Sequence, residues 1–145
     1  MQRSSVYLGD LFLRIKEFKM VKTKKSGVKK QKIYQKEDLG AMLVFLLPSL
    51  KLKKKIRDNI SLEDKIHHFL LEKFNGYTAA AGNIFGYWRN KAGKEFYGEH
   101  KEYKVSLLQK KEIKTLESFL AGLALEMEEE SIYLSLGGKS WLIYP

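Results

Sequence analysis

Cysteine is absent from the 145 residues, and proline occurs only twice. Without thiols the chain forms no disulfide, no Cys-ligated zinc or iron–sulfur site and no thiol nucleophile. Long hydrophobic runs are also missing, because residues 6–18 are interrupted by Asp10, Arg14, Lys16 and Glu17. Such a stretch suits neither a membrane span nor the core of a signal peptide. The sequence therefore predicts a cytoplasmic protein with no membrane partner.

Acidic residues are scarce in the first two-fifths of the chain. Residues 1–57 hold 16 Lys and Arg against 4 Asp and Glu, whereas residues 58–145 hold 11 against 13. A basic segment on a near-neutral body is typical of a protein that binds a polyanion, although lysine-rich tails are also found simply solvated. RNA or DNA is the predicted partner, and the candidate contacts are Lys22, Lys24, Lys25, Lys29, Lys30, Lys51, Lys53, Lys54, Lys55 and Arg57.

The composition changes near Gly40. Residues 21–36 are dense in Lys, Gln, Ser and Gly and lack an apolar period, which predicts that residues 1–39 form a basic, partly disordered N-terminal arm. Residues 40–145 are long enough for a single α+β domain with its own core. Residues 41–47 are uniformly apolar up to Pro48, which indicates a central strand buried on both faces.

Helical periodicity and turn residues place the remaining elements. Ser61 and Asp64 resemble a capping box at the start of a helix over residues 62–74, and Asn75 supplies a left-handed stop. A second apolar stripe predicts a helix over residues 110–130. The other segments are predicted as a strand over 78–88, a polar turn over 90–98, and strands over 102–108, 131–136 and 141–144.

The order strand, helix, strand, strand, helix, strand, followed by a short C-terminal strand, resembles the ferredoxin-like two-layer sandwich. The resemblance is one of topology over residues 40–145, and that fold hosts many unrelated activities. Two helices cover one face of such a sheet, yet the first strand is apolar on both sides. A homodimer, the basic arm folding back or a bound ligand would each cover the open face of the sheet, and of these we expect the homodimer.

Most of the chemically versatile side chains lie between Tyr77 and Tyr103. His100, Arg89, Tyr97 and Tyr103 are the candidate catalytic residues of a metal-independent phosphodiesterase or nuclease acting on RNA or a cyclic nucleotide. Glu99 precedes His100 on an extended segment, so the two side chains are expected on opposite faces. No complete catalytic motif supports this alternative to nucleic-acid binding.

Other features favour structural roles. The aromatic residues of this stretch are predicted to fill the core and a dimer interface, although exposed rings also stack RNA bases. His67 and His68 point apart on a helix, so neither a metal nor another cofactor is predicted. The acidic run Glu126, Glu128, Glu129 and Glu130 at a helix C-terminus is predicted first to be a solvated helix end, and otherwise a docking surface for lysines of this chain or for a partner. A protein–protein inhibitor or adaptor is therefore a second alternative.

Overall fold

The computed structural model describes residues 33–145. Residues 33–38 contain no helix or strand, and Leu39–Pro145 forms one compact unit. The candidate contacts in the basic arm, Lys22, Lys24, Lys25, Lys29 and Lys30, lie outside the described residues. Within residues 33–145, no helix combines the length and the apolar character needed to cross a membrane.

The compact unit is an α+β fold, as predicted. Its elements are β1 (Ala41–Pro48), a 3-10 turn (Ser49–Lys51), β2 (Lys55–Arg57), β3 (Ile60–Ser61), α1 (Leu62–Phe74), β4 (Thr78–Ala79), β5 (Ile84–Arg89), β6 (Glu95–Leu107), α2 (Lys110–Glu126), β7 (Ile132–Leu136) and β8 (Lys139–Ile143). The main sheet runs β4-β6-β1-β7-β8, and β5 also pairs with β6. All these pairings are antiparallel, and β1 is central as expected.

Local signals determine where the helices begin and end. α1 has the predicted bounds, because Ser61 and Asp64 form a reciprocal capping box and Asn75 adopts a left-handed φ of 61°. α2 begins at Lys110 as predicted but ends at Glu126, short of residue 130. The chain turns at Glu128, which has a φ of 56°. Glu129 and Glu130 therefore lie beyond the end of the helix and do not add negative charge to its last turn, where such charge is unfavourable.

The core lies between the helices and one face of the sheet. Leu43, Phe45 and Leu47 of β1 are fully buried on that face, whereas Met42 on the other face is 54% exposed. The prediction that β1 is buried on both faces is therefore wrong for the isolated chain. We call the uncovered side the open face; in its central part it presents Met42, Val44, Leu46, Glu102, Lys104, Tyr133 and Leu142.

The segment between the two helices differs most from the prediction. The strand expected over residues 78–88 is interrupted, so that β4 and β5 are separate strands. The expected turn over residues 90–98 is also too long, because β6 already begins at Glu95. Asn90 and Lys94 close the real turn with a backbone hydrogen bond of 3.0 Å, and Gly93 supplies a positive φ of 83°.

Candidate functional site

The paired strands β5 and β6 extend beyond the rest of the sheet. β1 ends at Pro48 opposite His100, so residues 95–99 of β6 pair with β5 alone. We call residues 84–100 the hairpin. A two-stranded ribbon is only marginally stable by itself, and cross-strand aromatic pairs are the contacts that stabilise it best.

Three aromatic rings and the Glu99 carboxylate are neighbours on one face of the hairpin. Phe85 lies opposite Glu99, and Tyr87 lies opposite Tyr97, so the four side chains form a two-by-two array that we call the ring face. The rings are 57%, 79% and 51% exposed for Phe85, Tyr87 and Tyr97. The Tyr97 ring centroid lies 6.0 Å from that of Phe85 and 5.0 Å from that of Tyr87. The ring face is therefore a nearly continuous, solvent-accessible aromatic surface.

Glu99 has one polar contact through its side chain. The Tyr97 hydroxyl donates to Glu99 Oε1 over 3.1 Å. Partial desolvation, together with this hydrogen bond and the negative charge of Glu99, raises the pKa of Tyr97. Lys101, two residues further along the same face, pairs with Glu63 at 2.9 Å instead. Among the described residues no cation pairs with Glu99, so its carboxylate is available to hydrogen-bond donors from outside.

The opposite face of the hairpin holds Trp88, Phe96 and His100. The Trp88 and Phe96 rings are stacked at 5.7 Å and 9°, and the His100 ring lies 6.0 Å from Trp88. Gly98 makes room for these rings, because a Cβ there would stand 2.6 Å from His100 Cε1. His100 Nδ1 is buried, and no group in residues 33–145 forms a hydrogen bond with it.

The four candidate catalytic residues do not converge. His100 lies on the opposite face from Tyr97, as its position next to Glu99 predicts. Tyr103 is 2% exposed and stacks on Phe45 in the core at 5.2 Å, where burial raises its pKa. Arg89 pairs with Glu95 next to the turn. His100 and Tyr97 lie on opposite faces of the sheet and Tyr103 is in the core, so these side chains cannot contact the same substrate atom.

Most of the candidate basic residues that the structure describes are engaged by the chain itself. Lys51 Nζ donates to the Met127 carbonyl over 2.6 Å and pairs with Glu129. Lys54 Nζ donates to the Glu126 carbonyl over 3.0 Å, and Lys53 pairs with Glu63 at 2.7 Å. Lys55 Nζ donates to the Asn59 carbonyl, while Arg57 is exposed at the end of β2.

The acidic end of α2 is therefore a docking surface for lysines of the same chain. Its partners come from the loop after β1 and from α1, where Lys65 pairs with Glu126. His67 Nδ1 and the Tyr77 hydroxyl are 2.7 Å apart, and His68 is exposed. In residues 33–145, no group of three or more His, Asp and Glu side chains is arranged to hold a metal ion.

The aromatic residues were predicted to fill the core and a dimer interface; the core part holds for Tyr103 and fails for the ring face, whose rings are exposed in the single chain, while a dimer interface for these rings stays a prediction. Phe85, Tyr87 and Tyr97 lie where β6 extends past the end of β1, so no helix or strand of residues 33–145 covers them. The role of Glu99 as the fourth member of the array was also missed. The early end of the apolar run at Pro48 was the available signal, since a strand that stops there cannot cover a longer neighbour.

No family profile matches the chain, and no curated protein matches it. Among solved structures, a phage SAM lyase in complex with S-methyl-5'-thioadenosine is similar to 78% of this chain and to 96% of its own chain. The two are 11% identical, with a TM-score of 0.48. A similarity at that level does not support any inference about the activity of this chain.

Proposed function

We propose that the protein binds single-stranded nucleic acid, with bases stacked on the ring face of the hairpin and the phosphates neutralised by basic residues. The proposal rests on the exposure of Phe85, Tyr87 and Tyr97 on one face of the hairpin. Aromatic side chains that leave their faces open on a β surface stack nucleobases, and each stacked base contributes about 1–3 kcal/mol.

Two groups of positive charges support the same function, one in the turn of the hairpin and one in the sequence of residues 1–32. Lys91 and Lys94 are exposed in the turn that joins β5 to β6, and Lys94 Nζ lies 5.2 Å from the centroid of the Phe96 ring on the opposite face of the hairpin. Residues 1–32 contribute ten further basic residues against two acidic ones. Cations beside an aromatic ribbon attract a phosphate backbone, and counterion release makes the binding steeply salt-dependent.

The test is a fluorescence-anisotropy titration of labelled U12 and A12 oligonucleotides with the full-length protein at low salt. Tyr87→Ser is expected to weaken binding about tenfold, because it removes the most exposed ring of the array. Tyr144→Ser is the matched control, since Tyr144 is 57% exposed and lies outside the hairpin. Adenosine is titrated as well, because it contains a base but no phosphate chain.

Absence of oligonucleotide binding at low salt would remove the proposal. Equal losses for Tyr87→Ser and Tyr144→Ser would show that the ring face is not the contact surface. A change in oligomeric state for Tyr87→Ser, without a change in affinity per protomer, would instead assign the rings to a protein interface.

We further propose that a second copy covers the open face. Met42 and Leu142 are 54% and 52% exposed there, and Glu102 Oε1 lies 3.4 Å from Lys104 Nζ on the same face. A two-fold axis brings the Lys104 of one copy to the Glu102 of the other, so both charges stay paired while the apolar side chains are buried.

Sedimentation velocity over a range of concentrations tests this dimer. Met42→Glu combined with Leu142→Glu is expected to give a monomer. Leu50→Glu is the control, because Leu50 is 82% exposed outside the sheet. A wild-type monomer at high concentration would contradict the dimer.

The phosphodiesterase and the inhibitor or adaptor stay alternatives without a supporting contact among the described residues. If His100→Ala leaves the rate of phosphodiester cleavage unchanged, the first alternative is wrong.

We also infer that the fold is the ferredoxin-like sandwich, because β4 and β5 together occupy the position of its second strand beside β6. A cytoplasmic location stays a prediction for cell fractionation.

A further inference from the structure

The carboxylate of Glu99 is an unexpected member of a surface that binds nucleic acid. It stands beside three exposed rings and has no cation partner among residues 33–145, although Lys101 is only two residues away. A carboxylate in that position repels phosphate oxygens, so it does not contribute to backbone binding. It accepts hydrogen bonds only, and it offers about four lone-pair directions on two oxygens.

The array places this acceptor at the edge of the stacking surface. A base that lies on Tyr97 and Phe85 has its edge next to Glu99, because Glu99 is directly opposite Phe85 and two residues from Tyr97 on the same strand. Tyr97 fixes Glu99 Oε1 from one side. A base stacked there with its Watson–Crick edge toward Glu99 would place that edge beside the carboxylate.

Nucleobases differ in the donors that they present on this edge. Guanine presents N1–H and the N2 amino group side by side, which match the two oxygens of one carboxylate. Adenine and cytosine each present one amino group next to an acceptor nitrogen, and uracil presents one N–H between two carbonyl oxygens that repel a carboxylate. Paired hydrogen bonds of this kind discriminate between bases by about 1–3 kcal/mol.

We propose that Glu99 makes the ring face selective for guanine in single-stranded nucleic acid. This inference rests on the proposed function, because it requires a base to be stacked on Phe85 and Tyr97. It adds the base identity that stacking alone does not specify, since every base has an aromatic face.

The experiment compares U12 with a U12 oligonucleotide that carries one central guanine, using the full-length protein at low salt. The guanine is expected to strengthen binding about tenfold. Replacing that guanine by inosine, which keeps N1–H and lacks the N2 amino group, is expected to lose most of the gain.

Glu99→Gln is the diagnostic variant, because its amide fills the same space but places a donor where the guanine donors point. It is expected to abolish the preference for guanine and to leave U12 binding equal or stronger, since a negative charge has been removed. Glu95→Gln is the matched control, because Glu95 lies on the same face of the same strand but pairs with Arg89. The control is expected to retain the guanine preference.

The outcomes separate the two proposals. If no oligonucleotide binds, the proposed function itself fails. If both oligonucleotides bind equally, or if Glu99→Gln keeps the guanine preference, only the selectivity is wrong. If tetraethylammonium binds the protein in a Glu99-dependent way and guanine has no effect, the array recognises organic cations and base selectivity is overturned.

Discussion

Glu63 is the carboxylate whose ionisation matters most clearly to the fold. It pairs with Lys53 at 2.7 Å and with Lys101 at 2.9 Å. The hydrogen bond from Lys53, supported by Lys101 and opposed by partial burial, lowers the pKa of Glu63 below its usual value of 4.5. Its negative charge also adds to the burial that raises the pKa of Tyr103. One ionised side chain therefore links the loop after β1, α1 and β6.

We expect Glu63→Gln to flatten the acid dependence of stability. Because the folded pKa is lowered, the contribution of Glu63 is fully present above the unfolded value and is lost as the pH falls through the folded value. Urea denaturation between pH 7 and pH 3 should show a smaller loss for the variant than for the wild type below about pH 4.5. Parallel curves for the two proteins would contradict this assignment.

Gly40 is required where the chain enters β1. Its φ is +88°, and a Cβ would lie 2.1 Å from the Leu107 carbonyl oxygen. We expect Gly40→Ala to reduce the free energy of unfolding by about 1–3 kcal/mol or more, because left-handed strain and a backbone clash act together.

The control for this substitution is Gly122→Ala in α2, where the added methyl meets no atom within 4 Å. It should stabilise the helix by about 0.5–1 kcal/mol. Chemical denaturation measures both variants, and a destabilisation at Gly122 that matches the one at Gly40 would contradict the role of backbone strain.

Among the elements, the loop after β1 and the C-terminus of α2 stabilise each other. Lys51 and Lys54 donate to the last carbonyls of a helix that carries no basic residue in its final turn. These cations offset the negative end of the helix dipole and the charge of Glu129. The loop is therefore part of the folded unit, and contact of its lysines with a phosphate backbone stays a prediction.

We expect the double substitution Lys51→Met and Lys54→Met to lower the free energy of unfolding by about 1 kcal/mol at low salt, with a smaller effect at high salt. Partial exposure of Lys51, at 39%, keeps the effect modest. Lys55→Met is the matched control, because Lys55 contacts only its own loop through Asn59. Equal destabilisation by the control would assign the effect to general charge reduction.

Local sequence was sufficient for α1 and insufficient for the hairpin. Ser61, Asp64 and Asn75 lie within a few residues of the ends that they define, so capping chemistry predicts those ends correctly. The start of β6 depends instead on cross-strand pairs such as Trp88 with Phe96. A turn-like composition around Gly93 and Gly98 cannot reveal those pairs, because they form only when the two strands meet.

At the scale of the whole molecule, the central position of β1 followed from its apolar run, while the exposure of the ring face did not. Tyr103 and Tyr97 are both tyrosines on the same face of the same strand, yet one is in the core and the other is exposed. What distinguishes them is whether β1 and the helices reach that far along β6. That is a property of element lengths in three dimensions, which residue type and spacing do not encode.

In the proposed function the N-terminal lysines neutralise phosphates and the hairpin stacks bases, so the two contributions should depend differently on salt concentration. Replacing Lys22, Lys24, Lys25, Lys29 and Lys30 by Gln should reduce the slope of log affinity against log salt by about 0.7 for each phosphate that these lysines neutralise. Tyr87→Ser should lower the affinity at every salt concentration and leave the slope unchanged, because stacking releases no counterions.

The Lys51→Met and Lys54→Met variant serves as the third arm of that titration. Its slope should match the wild type, since both side chains already contact the end of α2. Anisotropy titrations of U12 at four salt concentrations measure all three slopes. A lysine-to-glutamine variant with an unchanged slope would remove the N-terminal segment from the binding surface, and a reduced slope in the third arm would show that the loop leaves α2 to bind phosphate.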